Sequence, residues 1–190
     1  MQIEQADLVY AHSIGDDRMA PEVILGPRGV CKALDKAKRD GLTRFVGVSG
    51  HNRPGRFLQV MQAWDYDVQM NAVSLVARHI YDFESRVWPE AVRKKIGLAA
   101  MKVFGGIAEH PKSAQGARMP RELLPSALRY ALGLPGVSVV VVGMYDDKEL
   151  AQVLTWTRQF RPLSSEELAA LTPVTRALAA KWGRVYGEAT

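Results

Sequence analysis

Cysteine is almost absent from this chain: Cys31 is the only one among 190 residues. No disulfide can form within it, which leads to the expectation of a reducing compartment. Long hydrophobic runs are missing too. No stretch approaches the ~20 apolar residues of a membrane-spanning helix, and Met1-Gln2-Ile3-Glu4 does not open a signal peptide. The expectation is a cytoplasmic location with no membrane partner. The chain also lacks an HExxH pair, paired CxxC, a GxSxG elbow and a P-loop. His79, His110 and Cys31 have no metal-ligand spacing, so no metal site is expected.

Charge of one sign is nowhere concentrated. The 25 Lys and Arg outnumber the 20 Asp and Glu by five, but no basic run is interleaved with aromatics, and no nucleic-acid module can be recognised. Lys32, Lys36, Lys38, Arg39, Arg93, Lys94 and Lys95 alternate with apolar positions, as solvated helix faces do. Nucleic acid is excluded as a partner. A small anionic ligand is the better use of so mild an excess.

What is present is a repeated strand-then-helix unit. Residues 7–12, 43–49, 67–73, 97–104 and 137–143 read as strands. Helices are expected over 29–40, 54–64, 89–95, 120–133, 146–160 and 164–182, with a shorter element at 79–88 and a Gly/Pro/Ser-rich loop at 105–120. Val30, Ala33, Leu34 and Ala37 fall on one helical stripe, and Gly41 supplies a left-handed cap. Pro54 suits a first turn, and Ser164-Ser165-Glu166-Glu167 is a capping-box pattern. The run Val137–Val142 has the continuous apolarity of a parallel strand covered on both faces. About five parallel strands alternating with helices make an α/β fold. No linker divides the chain, so residues 1–190 are expected to form a single domain. A closed eight-stranded barrel usually needs about 250 residues, and this chain is short of that.

Five segments carry a family likeness. Asp7-Leu8-Val9-Tyr10-Ala11-His12, Gly41 to His51, Val68-Gln69-Met70-Asn71, Ile96 to Gly106, and Ala127 to Leu132 continuing through Leu134 to Gly143 resemble, in order and spacing, successive strand signatures of the aldo-keto reductases. The Gly-His after Ser49 and the Met-Lys before the double Gly are similar to a bacterial aldo/keto reductase subgroup. The likeness covers nearly the whole chain and begins at the family's fourth strand. It implies an incomplete TIM-type (β/α)8 barrel and an NAD(P)H-dependent oxidoreductase that reduces an aldehyde or ketone to an alcohol. The family's proton-donating Tyr, with its Lys and Asp, comes from the first three units and has no counterpart in the match. The chain is therefore read as the truncated, C-terminal part of such a barrel, its activity alone in doubt.

By the same resemblance, His12 is the catalytic position, orienting a carbonyl. Ser49 and Gln69 would hydrogen-bond the nicotinamide carboxamide, as one donor and one acceptor can. Gly50 and His51 follow, His51 standing where relatives usually have Asn. Met101 would pack on the nicotinamide, Lys102 would face a phosphate or cap the strand, and Gly105, with Gly106, would admit a pyrophosphate. Gly143 and Met144 open the loop that holds the adenosine 2′-phosphate in the family. Tyr145 replaces a basic residue there and Asp146 and Asp147 follow, which leaves NADPH as the expected cofactor and NADH as the alternative. Tyr10 is expected to point into the barrel interior, and Asn71 to be structural. The other class of reading is a non-catalytic nucleotide-binding half-barrel that self-associates through open sheet edges.

Overall fold

The computed structural model describes residues 3–105 and 119–190. Its five strands are β1 (Ala6–Ala11), β2 (Thr43–Gly50), β3 (Val68–Ala72), β4 (Gly97–Met101) and β5 (Val137–Val140). They form one sheet in chain order, with every neighbouring pair parallel. Parallel neighbours need a crossover, and helices supply it. Between β1 and β2 lie α1 (Pro21–Ile24) and α2 (Val30–Arg39); α3 (Pro54–Ala63) leads to β3. Then come α4 (Phe83–Arg86), α5 (Trp88–Arg93) and, before β5, α6 (Leu124–Leu132). The chain closes with α7 (Asp147–Arg158) and α8 (Ser165–Trp182). This is an incomplete α/β barrel. Among the described residues β1 and β5 each pair with one strand only.

Strand side chains alternate between faces, and paired residues of a parallel sheet share a face. Ala11, Val46, Val48, Leu98 and Ala100 point outward and are buried. Phe57, Val60, Phe83, Trp88, Ala127 and Ala131 from the helices join them in one core. Phe57 and Phe83 meet edge to face at 5.1 Å. The inward face carries Tyr10, Phe45, Gly47, Ser49, Met70, Met101 and Val139. Part of it is open to solvent: Phe45 is 43% and Val139 53% exposed, while Ser49 and Met101 are buried.

That openness corrects one expectation. The Val137–Val142 run is not a long strand covered on both sides. Strand pairing ends at Val140 after a register shift opposite Leu98 and Ala99, and Val141 only donates its N–H to the Ala100 carbonyl. A parallel strand is covered twice only where the sheet closes around it.

Several local signals hold. Gly41 lies at φ +75°, Pro54 opens α3, and Ser164 and Glu167 form the full capping box of α8. The α2 stripe is turned by one position: Cys31 and Leu34 are buried, while Ala33 faces solvent. The segment expected as a short element and a helix is a 3-10 turn at Ala77–His79 followed by α4 and α5. The helix expected over 120–133 starts as a 3-10 turn, Arg121–Leu123, before α6. Gly106 and His110 lie outside the described residues.

Candidate active site at the carboxyl ends of the strands

In a parallel sheet with helical crossovers, the loops after the strands gather on one side. Here the loop after β1 is pressed onto the loop after β2. Ile14 donates its N–H to the Ser49 carbonyl at 3.0 Å. A Cβ on Gly15 would fall 1.8 Å from Oδ1 of Asn52, so a larger residue would require the Asn52 side chain to move. Arg53 and Arg56 complete the junction. Arg53 donates to the Gly15 carbonyl at 3.2 Å and pairs with Asp17, while Arg56 reaches the Asp16 carbonyl at 2.9 Å and Asp17 at 2.8 Å.

Three non-glycine residues on this side sit in the left-handed backbone region: Ser13 after β1 (φ 59°), Arg53 after β2 (φ 51°) and Lys102 after β4 (φ 59°). Each such residue costs about 1–3 kcal/mol and persists where its surroundings fix it, as at functional sites. Gly105, at φ 92°, continues the turn begun at Lys102.

His12 and Ser49 come together. The His12 ring Nδ1 and the Ser49 hydroxyl share a hydrogen bond of 2.8 Å across 37 residues of sequence. Ser49 is wholly buried behind His12, which is exposed. When Ser49 donates to Nδ1, the ring proton sits on Nε2, turned to whatever binds there. Met101 pairs with Ala72 at the end of β4, on the same inward face as Ser49.

Gln69 is not brought to this face. Val48 and Gln69 are partners, as are Ser49 and Met70, so Gln69 points outward and Met70 stands beside Ser49. The Gln69 amide is spent in a buried chain. Tyr66 donates to its carbonyl at 2.6 Å, and its NH₂ donates to Asn71 Oδ1 at 2.7 Å, where Trp88 also donates at 2.9 Å. Asn71 is wholly buried, its Oδ1 accepting from both Gln69 and Trp88 while its Nδ2 has no partner among the described residues. One residue of offset in a strand reverses the face, and the resemblance that pointed to Gln69 does not fix that face. Tyr10 lies inward, its ring against Gly47.

His51 is flanked by residues with no signature in the sequence. Its ring lies 5.6 Å from that of Tyr186, which lies 5.7 Å from that of Tyr81. The Tyr81 hydroxyl pins the C-terminal tail, accepting from the Tyr186 N–H at 2.9 Å and donating to the Gly187 carbonyl at 3.1 Å. The Arg53 N–H donates to the Glu188 carbonyl at 3.0 Å. Desolvation, with the nearby positive charge of Lys102 and then His12, pushes the His51 imidazole down to about 4. A contact spanning more than 100 residues leaves no periodic trace in a sequence; only the aromatic pair itself could have hinted at it.

Gly50 packs outward, where a Cβ would meet the Phe57 ring at 2.8 Å. Gly143 and Met144 lie in the exposed stretch after β5, and a Cβ on Gly143 would meet nothing within 4 Å. Asp146 caps α7 by accepting from the Glu149 N–H at 2.8 Å. Among the described residues no cluster of His, Cys, Asp and Glu could hold a metal. Among the described residues no helix is long and apolar enough to cross a membrane.

With this geometry in place, the comparisons take on meaning. An aldo-keto reductase from Bacillus halodurans in its holo form superposes with a TM-score of 0.62 at 16% identity, over 98% of this chain and 66% of its own. A putative aldo-keto reductase from Pseudomonas aeruginosa gives 0.61 at 20%, over 83% and 53%. A thermostable aldo-keto reductase in complex with the inhibitor epalrestat gives 0.62 at 18%, over 90% and 60%. No family model and no curated protein matches the sequence. The chain thus has the aldo-keto reductase barrel fold and spans between about half and two thirds of the length of these structures.

Proposed function

We propose that the chain carries the cofactor-facing part of an NAD(P)H-dependent carbonyl reductase of the aldo-keto reductase type. The observation that carries this is the His12–Ser49 hydrogen bond at the carboxyl ends of β1 and β2, within a fold shared with aldo-keto reductases. The dinucleotide, when bound, supplies the hydride. The donor set fits the nicotinamide in part: Ser49 and Met101 share the inward face and His51 follows β2, whereas the Gln69 amide is bonded to Tyr66 and Asn71. Lys102 and Gly105 would meet its phosphates, and Gly143 and Met144 its adenosine end. With the Ser49 hydroxyl donating to Nδ1, the Nε2–H of His12 would donate to the carbonyl oxygen of the substrate and polarise it.

Neither Tyr10 nor Tyr81 is assigned as a proton donor. Tyr10 is packed on Gly47, the Tyr81 hydroxyl is engaged on both sides, and burial raises the pKa of both phenols. General acid catalysis contributes about 10²–10⁴-fold, so the chain alone should reduce carbonyls that much more slowly than a complete reductase. Calorimetric titration with NADPH and NADH, followed by an assay of carbonyl-dependent nicotinamide oxidation, tests both halves. Binding weakened about tenfold by Ser49→Ala, with turnover depressed as stated, is expected. Turnover at the rate of a complete reductase would refute the division of labour.

One observation favours a second property: among the described residues β1 and β5 each keep one unpaired edge, and Phe45 and Val139 on the inward face are exposed. Parallel sheets are normally covered on both faces, and this one invites self-association through its edges.

A further inference from the structure

At the amino ends of β3 and β4, the opposite end of the sheet from His12 and Ser49, lies a cavity of about 240 Å³ lined by Met61, Trp64, Asp65, Tyr66, Lys94 and Ile96. Two aromatic rings form its fixed part. Those of Trp64 and Tyr66 lie 5.6 Å apart, tilted by 40°. Each is locked by its polar edge: Trp64 Nε1 donates to Asp35 of α2 at 2.8 Å, and the Tyr66 hydroxyl donates to Gln69 at 2.6 Å. Neither ring is left with an N–H or O–H to offer a ligand. Buried Met61 and Ile96 add only thioether and hydrocarbon. The charges belong to the remaining two residues, both exposed. Asp65 comes from the loop before β3 and Lys94 from the loop before β4, and the Gly97 N–H ties these loops together by donating to the Asp67 carbonyl at 2.9 Å. Neighbouring charges are matched, Lys38 with Asp67 at 2.6 Å and Arg93 with Glu90 at 2.5 Å, whereas among the described residues Asp65 and Lys94 have no ion-pair partner.

We propose that this cavity binds a small betaine, a molecule that joins a quaternary ammonium to a carboxylate. Size sets the first limit. An apolar cavity of about 150 Å³ holds one benzene, so this one takes a molecule of that order. The rings set the second. An aromatic face attracts a cation through its quadrupole, Trp most strongly. A primary ammonium carries three N–H donors; Asp65 can accept from it, but the donors turned to the rings stay unpaired, at a cost. A quaternary ammonium has none to leave unpaired. Asp65 adds negative charge beside that cation, and Lys94 donates a charge-assisted hydrogen bond to the carboxylate. A neutral sugar finds no donor on the rings, and a free anion meets the charge of Asp65. The site uses other residues, and the other end of the strands, than the reductase reading, and it stands or falls without it.

The test follows the indole N–H signals of the tryptophans by NMR during titration with glycine betaine, tetramethylammonium chloride or glycine. Glycine betaine should shift the Trp64 signal saturably, while that of Trp156 in α7 stays still. Tetramethylammonium, which lacks the carboxylate, should bind about tenfold more weakly. Glycine, which lacks the methyl groups, should also bind about tenfold more weakly. Asp65→Asn and Lys94→Met alter exposed side chains and should leave the urea midpoint unchanged. Lys94→Met should bring glycine betaine down to the affinity of tetramethylammonium without weakening tetramethylammonium itself, and Asp65→Asn should weaken both. Absence of a saturable Trp64 shift with glycine betaine would overturn the proposal. So would glycine binding as tightly as glycine betaine, or affinities indifferent to both substitutions. None of these readouts needs NADPH or turnover, so the reductase reading is tested separately.

Discussion

Two residues show how burial decides what a polar side chain can do. Gln69 could have faced a ligand, but its position puts it among Tyr66, Asn71 and Trp88. Replacing it with leucine leaves the Tyr66 hydroxyl without its acceptor, and a buried orphan costs about 1–3 kcal/mol. Gln69→Leu should therefore lower the urea midpoint by a corresponding amount and leave NADPH affinity unchanged; a loss of affinity at unchanged stability would return Gln69 to the site. His51 provides a pH signature. Its folded pKa, about 4, lies below the ordinary value of about 6.5. Between those values the unfolded chain binds the extra proton, so the stability contributed by neutral His51 is complete above pH ~6.5 and drains away as the pH falls toward ~4. That contribution is on the order of 2 kcal/mol for a largely buried imidazole. Denaturant unfolding at neutral pH and near pH 4.5 should show the loss, and His51→Phe should remove the share that His51 carries.

At the scale of elements, the helices closing the chain are held by polar chemistry more than by apolar burial. No residue of α7 is buried. The longer α8 is anchored at its start, where Glu167 takes both Arg129 of α6 and Arg161, and accepts from the Ser164 N–H. Ser164 in turn caps the Glu167 N–H at 3.2 Å. Removing an N-cap costs about 1 kcal/mol, so Ser164→Ala should destabilise the protein by that amount in thermal or urea unfolding, and Ser164→Asp should restore most of it. No change in either variant would show that α8 is held from elsewhere. This capping box was legible in the sequence, as were Pro54, Gly41 and the strand–helix alternation, because each is a local rule satisfied within a few residues. The face on which Gln69 lies was not legible, since one step along a strand inverts it and nothing nearby fixes the register. The clamp of Tyr81 on Tyr186 and Gly187 was invisible for another reason: it closes over 105 residues. The direct bond between His12 and Ser49 was not foreseen, because it joins two strands across 37 residues.

At the scale of the molecule, the sheet is a curved wall with one side finished. The outward face is a packed core; the inward face exposes Phe45, Val139 and Val141. Such a surface should draw copies of the chain together, and sedimentation velocity over a range of concentrations should reveal larger species. Val139→Lys puts a charge on that face without touching the core, and it should shift the distribution toward monomer while leaving the circular dichroism spectrum intact. A wild-type chain that stays monomeric at every concentration would show that the face is tolerated in water. The same wall explains why binding and turnover can part company, because the strand ends are in place while Tyr10 is packed on Gly47 and the Tyr81 hydroxyl is engaged by Tyr186 and Gly187. Calorimetric titration of the intact chain with NADPH, set beside His12→Ala and Ser49→Ala, bears on this most directly. Saturable binding that weakens about tenfold in each variant is the predicted outcome. No binding, or binding indifferent to both substitutions, would contradict it.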